Sequence, residues 1–154
     1  MRLASSVWCA EHNNHSPEQL VDGWFGSDGD GAYLIGTRCR ACGSFFFPKQ
    51  TFACRNPSCG ARELDEVRLS RRGRVWSSTT NHFPPPPPYP AREPFEPYTV
   101  VAVELPAEKM VVLGHLARGV DPQRVRLGDE VQLLIEPFYE TDDATHLVWK
   151  WRPV

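Results

Sequence analysis

The sequence predicts a mainly β chain in three parts: an N-terminal helical segment, a four-cysteine zinc ribbon and a five-stranded barrel of the OB type. Three observations predict it. Four of the five cysteines lie at Cys39, Cys42, Cys54 and Cys59, in the spacing C-x2-C-x11-C-x4-C. After Gly60 the chain carries a series of β-branched and aromatic runs bounded by Pro, Gly or Asp. Ahead of the cysteines the one clear periodicity is helical. The expected divisions are 1–31 for a helical docking segment, 32–62 for the ribbon and 63–154 for the barrel.

In the first part, Ser16 can cap a helix, Pro17 suits its first position, and Leu20, Val21, Trp24 and Phe25 fall on one face. That stripe packs either on its own domain, the safer reading, or in a groove on a partner. Cys9, His12 and His15 suggest a nucleophile and base or extra metal ligands, but with no third orienting group they read as bystanders. Asp28-Gly29-Asp30-Gly31 resembles the start of a calcium loop. Its twelfth position is Cys39 rather than an acid, so a surface turn is expected.

Ala32–Thr37 reads as a strand entering the first cysteine pair, Phe45–Phe47 as a short strand leaving it, and Gln50–Ala53 as the lead into the second pair. Each pair is followed by Gly, which permits the tight backbone behind a metal knuckle. Four thiolates close a tetrahedral site and leave no position for water or substrate, so a metal here is structural. Zinc, iron and a redox dithiol all fit the spacing, with zinc favoured by base rate. A ribbon this small buries little apolar surface, and the metal supplies much of its stability.

Beyond the ribbon, Glu63–Ser70 alternates and leads into Gly73–Thr80, Tyr98–Leu105, Lys109–Leu116, Glu130–Glu136 and His146–Trp151. Five strands from Gly73 onward, with a short helical or irregular piece at Val120–Arg124, fit a small closed barrel; a sandwich has a similar strand count. The first connection holds Pro84-Pro85-Pro86-Pro87-Pro88 between Phe83 and Tyr89. With no amide hydrogens it makes a stiff arm at the ligand-facing rim of such a barrel, or else a solvated linker. The flanking aromatics favour a packed or partner-contacting arm, with Phe83, Pro86 and Tyr89 as candidate contacts beside Leu20, Trp24 and Phe25.

A net charge of -2 gives no general attraction to nucleic acid or anionic membrane. No apolar run has the length of a spanning helix and the start is too short and polar for a secretory signal, so a cytoplasmic protein is expected. In that reducing compartment a close cysteine quartet is a metal site rather than two disulfides. Nowhere does the sequence offer a Ser/His/Asp arrangement, an open metal site, a phosphate-binding Gly loop or well-placed paired carboxylates. His82, His115 and His146 lie in or beside strands and are expected to be structural.

Gly36-x-x-Cys39-x-x-Cys42-Gly43, Phe47-Pro48, Cys59-Gly60, Gly73-Arg74-Val75 and Leu127-Gly128-Asp129-Glu130-Val131 together resemble a known family. It joins a rubredoxin-like zinc ribbon to an OB fold (domain of unknown function 35) and is associated with acyl-CoA enzymes. The likeness runs from about residue 16 to the end, and within the family the sequence looks similar in particular to the small subunit of benzoylsuccinyl-CoA thiolase of anaerobic toluene breakdown. The family's second cysteine pair is usually C-x2-C, so the Cys54–Cys59 knuckle must be looser here.

The resemblance implies a non-catalytic zinc-binding accessory subunit of a thiolase-fold enzyme that makes or breaks a carbon–carbon bond in an acyl-CoA. It further implies a hetero-oligomer, α2β2 or larger, whose partner holds the catalytic cysteine and histidines. The coenzyme A thioester is expected on the partner or at the shared interface. Arg71, Arg72 and Arg74 are candidate contacts to its phosphates, against the default of a solvated basic turn. Alternatives are a steroid side-chain aldolase subunit, an acyl-CoA carrier acting alone, and a single-stranded nucleic-acid module stacking bases on Trp76, Trp149 and Trp151.

Overall fold

A computed structural model describes residues 16–89, 91 and 93–154. Cys9, His12 and His15 lie outside the described residues. Ten strands are present among them: β1 (Ser16–Gln19), β2 (Phe25–Asp28), β3 (Gly31–Cys39), β4 (Phe45–Phe46), β5 (Leu64–Arg68), β6 (Arg72–Asn81), β7 (Tyr98–Leu105), β8 (Met110–Leu116), β9 (Glu130–Glu140) and β10 (Ala144–Pro153). A single 3-10 turn, Pro122–Arg124, is capped by the Asp121 carboxylate, which accepts from the Gln123 amide.

The expected helix over Ser16–Phe25 is a strand, a turn and a second strand. β1 runs parallel to β10, with Ser16 opposite Ala144 and Gln19 opposite Leu147. Gly23 then takes φ +72°, a left-handed conformation that ends any helical path. The Gln19 side chain ties the turn, accepting from the Gly23 amide and donating to the Phe25 carbonyl at 2.9 Å. Pro17 is tolerated because β1 is an edge strand.

The barrel is closed. β6, β7, β8, β10 and β9 pair in that order, and β9 returns to β6 through Arg72–Arg74 against Glu130–Gln132. Within that circuit only β8 and β10 run parallel. This is the five-stranded OB arrangement expected from the strand count. The inward residues Val75, Val101, Val103, Leu105, Val131, Leu133 and Trp151 are buried and form its core. Gly114 is required by Trp151: a Cβ there would lie 2.7 Å from the indole.

The ribbon is a separate sheet centred on β3, which pairs antiparallel with β2, β4 and β5. It meets the barrel through aromatics. Trp149 of β10 packs on Trp24, Phe25 and Phe47 with ring centroids 6.0, 5.7 and 5.7 Å away. Phe25 is 1% exposed. Trp24 and Phe25 therefore cover their own barrel rather than offering a face to a partner, which is the safer of the two sequence expectations. A second tie is polar. Asp28, in the tight turn between β2 and β3, takes two hydrogen bonds at 2.8 Å from Arg71, and the Ser70 amide donates to the buried Glu108 at 2.6 Å.

Trp149→Ala removes the ring shared by three ribbon-side aromatics and should cost about 2 kcal/mol, below the range for a fully buried Trp→Ala change because Trp149 is half-buried. Zinc-loaded wild type and variant compared by chemical denaturation check this; an unchanged midpoint would mean that the ribbon and barrel do not depend on this contact.

Candidate functional site

The four predicted ligands converge. Their sulfur atoms all lie within 4.8 Å of one another, with Cys42 and Cys54 at 3.5 Å and Cys39 and Cys59 at 3.8 Å. Tetrahedral zinc with bonds of about 2.3 Å holds its thiolates roughly 3.8 Å apart, so the quartet fits a zinc ion. The sequence places each ligand locally. In the first knuckle Gly43 turns left-handed at φ +74° and donates back to the Cys39 carbonyl at 2.9 Å. Gly60, φ +61°, plays the matching part in the second, donating to the Asn56 carbonyl.

The two additional residues of the Cys54–Cys59 knuckle are absorbed by Asn56. Its side-chain oxygen accepts from the Ser58 amide at 3.0 Å, and its carbonyl accepts from Cys59 at 3.0 Å. An Asx turn thus shortens the path without displacing either sulfur. The Asn56 amide also points at the Cys54 sulfur, 3.4 Å away, as expected for a donor to a thiolate. Contact with Ser44 lowers the Cys42 thiol to about 6, whereas burial foremost pushes Cys54 up to about 12. Four sulfurs this close cannot all ionise without a cation among them.

The arginine cluster divides. Arg71 is committed within the chain: its guanidinium is bound to Asp28 and lies over the Tyr33 ring, 5.6 Å from the centroid, so it is a joint rather than a phosphate contact. It also holds the Asp28 carboxyl below its ordinary range. Arg72 and Arg74 remain exposed on β6; Arg72 pairs with Glu130 at 3.1 Å, and Arg74 sits opposite Glu104 and Glu130 in register. Two of the three proposed base-stacking platforms are also occupied within the fold. Trp151 is 0% exposed and Trp149 faces the ribbon, its indole donating to the Leu113 carbonyl, which leaves only Trp76 exposed.

One feature was not legible in the sequence. The proline arm folds beside the barrel and encloses an open cavity of about 1240 Å³. The arm is less extended than its composition suggests, because the Tyr89 amide bonds back to the Pro86 carbonyl at 3.2 Å. Phe83 and Tyr89 project from it, 82% and 67% exposed, and Pro86 is exposed beside them. Leu20 and Val21, from the turn after β1, form part of the opposite wall. His115 lies in the lining, stacked on Tyr98 at 5.2 Å and against the edge of Phe138 at 5.1 Å. Burial, aided by the Lys150 ammonium, lowers its pKa to about 4. His146 is structural, stacked on Tyr139 at 4.3 Å.

A ribbon with four converging thiols, joined to a closed five-stranded barrel, is also what comparison finds. Residues 33–65 match the ChsH2 rubredoxin-like zinc ribbon domain and residues 66–136 the ChsH2 C-terminal OB-fold domain. The chain belongs to the ChsH2 family. It is 32% identical over 129 residues to benzoylsuccinyl-CoA thiolase subunit BbsA of Thauera aromatica, covering 83% of this chain and 81% of that one. It is 32% identical over 123 residues to a DUF35 domain-containing scaffold protein of Pyrococcus furiosus, covering 79% and 83%. A chain of a solved Ltp2-ChsH2(DUF35) aldolase superposes with a TM-score of 0.58 at 29% identity, covering 79% of this chain and 84% of that one. Among the described residues of this ChsH2-family chain no helix is long and apolar enough to cross a membrane.

Cys42→Ser should release the metal, read by elemental analysis, and melt the ribbon while the barrel retains its circular-dichroism signal; a metal-free variant with an intact ribbon would refute a structural site. The His115 imidazole should titrate near 4 by NMR. Because the unfolded chain takes up this proton first, near 6.5, stability should fall as pH drops from about 6.5 to 4, by up to about 3 kcal/mol, and His115→Gln should flatten that slope.

Proposed function

We propose that this chain is a non-catalytic, zinc-stabilised accessory subunit of a thiolase-fold enzyme that makes or breaks a carbon–carbon bond in an acyl-CoA. The observation that carries the reading is the likeness to a thiolase subunit over 129 residues, with family matches through both the ribbon and the barrel. The metal site supports it, since four cysteine ligands leave no coordination position for a reacting group. When bound, zinc supplies cross-linking of the two knuckles. Cys39, Cys42, Cys54 and Cys59 hold it, and Asn56 and Ser44 orient the sulfurs.

In this reading the partner supplies the catalytic residues, the assembly is α2β2 or larger, and the complex is cytoplasmic. The exposed Phe83, Pro86 and Tyr89 of the arm, with Leu20, belong to the docking surface. Arg72 and Arg74 are the two cluster members left to meet the CoA phosphates at the shared interface. Benzoylsuccinyl-CoA is the substrate suggested by the BbsA relatives. An aldolase partner is the second reading, favoured by the superposition on an Ltp2-ChsH2(DUF35) aldolase chain. A nucleic-acid module is disfavoured by the burial of Trp151 and the ribbon packing of Trp149.

Co-expression with the thiolase-fold protein encoded beside this chain should yield a stable complex. Thiolysis of an acyl-CoA by the large subunit alone should then be at least tenfold slower than by the complex. A large subunit that is fully active without this chain would overturn the accessory role, and retro-aldol activity in place of thiolysis would select the second reading.

A further inference from the structure

The cavity beside the proline arm has the composition of a ligand site rather than of a packing defect. Its volume of about 1240 Å³ exceeds that of a single aromatic ring severalfold, and its lining joins aromatic, prolyl and aliphatic groups to polar ones that include His82, Glu96, Thr99, Arg118 and Lys150. Three of its rings form one continuous wall. Tyr98 lies nearly parallel to His115, 24° between planes, and Phe138 closes on His115 edge-on at 67°. Phe95 extends the wall, 6.5 Å from Tyr98. Such a wall offers ring faces and ring edges together, the two surfaces a flat aromatic guest can use.

The polar feature of that wall is His115. Among the described residues its imidazole nitrogens have no hydrogen-bond partner, and the ring is half-buried. It is neutral at physiological pH, so one nitrogen donates and the other accepts. Lys150 beneath it carries a positive charge but is already engaged, 3.2 Å from the Pro137 carbonyl and 3.3 Å from Glu136. Lys150 belongs to the lining of the cavity, with Glu96 and Arg118 as its other charged groups.

We infer that this cavity binds a planar aromatic group bearing a carbonyl, the ring against Tyr98 and Phe138 and the carbonyl oxygen accepting a hydrogen bond from His115. The groups named for it all belong to this chain. That the natural guest is the aryl-acyl part of a CoA thioester rests on the accessory-subunit reading; the preference for a ring with a carbonyl does not.

Acetophenone is the probe, titrated into the zinc-loaded full-length chain and followed by the NMR signals of His115, Tyr98 and Phe138. Ethylbenzene has the ring without the carbonyl, and 2-octanone the carbonyl without the ring. Acetophenone should shift all three residues, with ethylbenzene binding roughly three- to tenfold more weakly, the range of one neutral hydrogen bond. The octanone should also bind more weakly. His115→Phe keeps the wall aromatic and should abolish the difference between acetophenone and ethylbenzene without weakening the latter.

Equal binding of all three probes, shifts confined to other residues, or no shift at millimolar probe would each overturn the assignment. So would a His115→Phe variant that still prefers the ketone. Should acetophenone bind as described while no thiolase-fold partner associates, the subunit reading fails and the cavity assignment stands. A partner that associates with a chain indifferent to acetophenone gives the reverse.

Discussion

The structure depends on one strand having neighbours on both edges over much of its length. β10 pairs antiparallel with β9 from Thr145 to Pro153. Its other edge is too long for the barrel alone: β8 meets it only at Lys150 and Trp151, and β1 covers Ala144–Leu147. Without β1, four residues of edge backbone would face outward, an unpaired template beside the cavity. The short segment that fills the gap also fixes the path of the next few residues. The turn after β1 delivers Trp24 and Phe25 to Trp149 of the same strand, so the pairing that completes the barrel edge also seats the ribbon on the barrel.

A ribbon of so few residues is thereby held at a defined angle. Two constraints of different kind act on it. The quartet of sulfurs closes the far end of β3, where Cys39 is buried, and the aromatic cluster with the Arg71–Asp28 pair anchors the near end. A metal alone would stabilise the ribbon but leave its orientation free; the aromatic contact alone would orient two knuckles that have no core of their own. Arg71 serves both units: its side chain binds Asp28 of the ribbon while its carbonyl accepts from Leu133 of the barrel at 2.8 Å.

Elements whose determinants are local were readable from the sequence. Cysteine spacing and the glycine after each pair specify the metal site, and β7, with Val101, Val103 and Leu105 buried, alternates clearly enough that its expected limits coincide with the observed ones. Elements made by tertiary pairing were not. Ser16-Pro17-Glu18-Gln19 has no strand character and becomes one only because β10 has an open edge, while Leu20, Val21, Trp24 and Phe25 match a helical period by accident of a turn. For Trp149 and Trp151 the shared face was legible but not its direction, since alternation distinguishes two faces without saying which is the interior. Arg71 and Arg74 look equivalent in sequence and differ in space because Asp28 reaches only the first.

The same distinction bears on where the chain can act. Its most reactive-looking residues, the cysteines, are placed where local sequence puts them and are occupied with one another. The cavity arises from parts spread along the chain from Leu20 to Lys150: the turn after β1, the proline arm, β8 and β10. One of its polar groups, His115, is a residue whose neighbours in sequence are apolar and whose ring is covered by Tyr98 of β7 and Phe138 of β9. A group in that position is poorly suited to proton transfer near neutral pH, since the proton it would have to carry is held off by burial and by Lys150. It is well suited to recognition, because a neutral ring stacked between two aromatics cannot turn away from the group it faces. The architecture thus separates the cysteine quartet, at the ribbon, from the aromatic-lined cavity, beside the barrel.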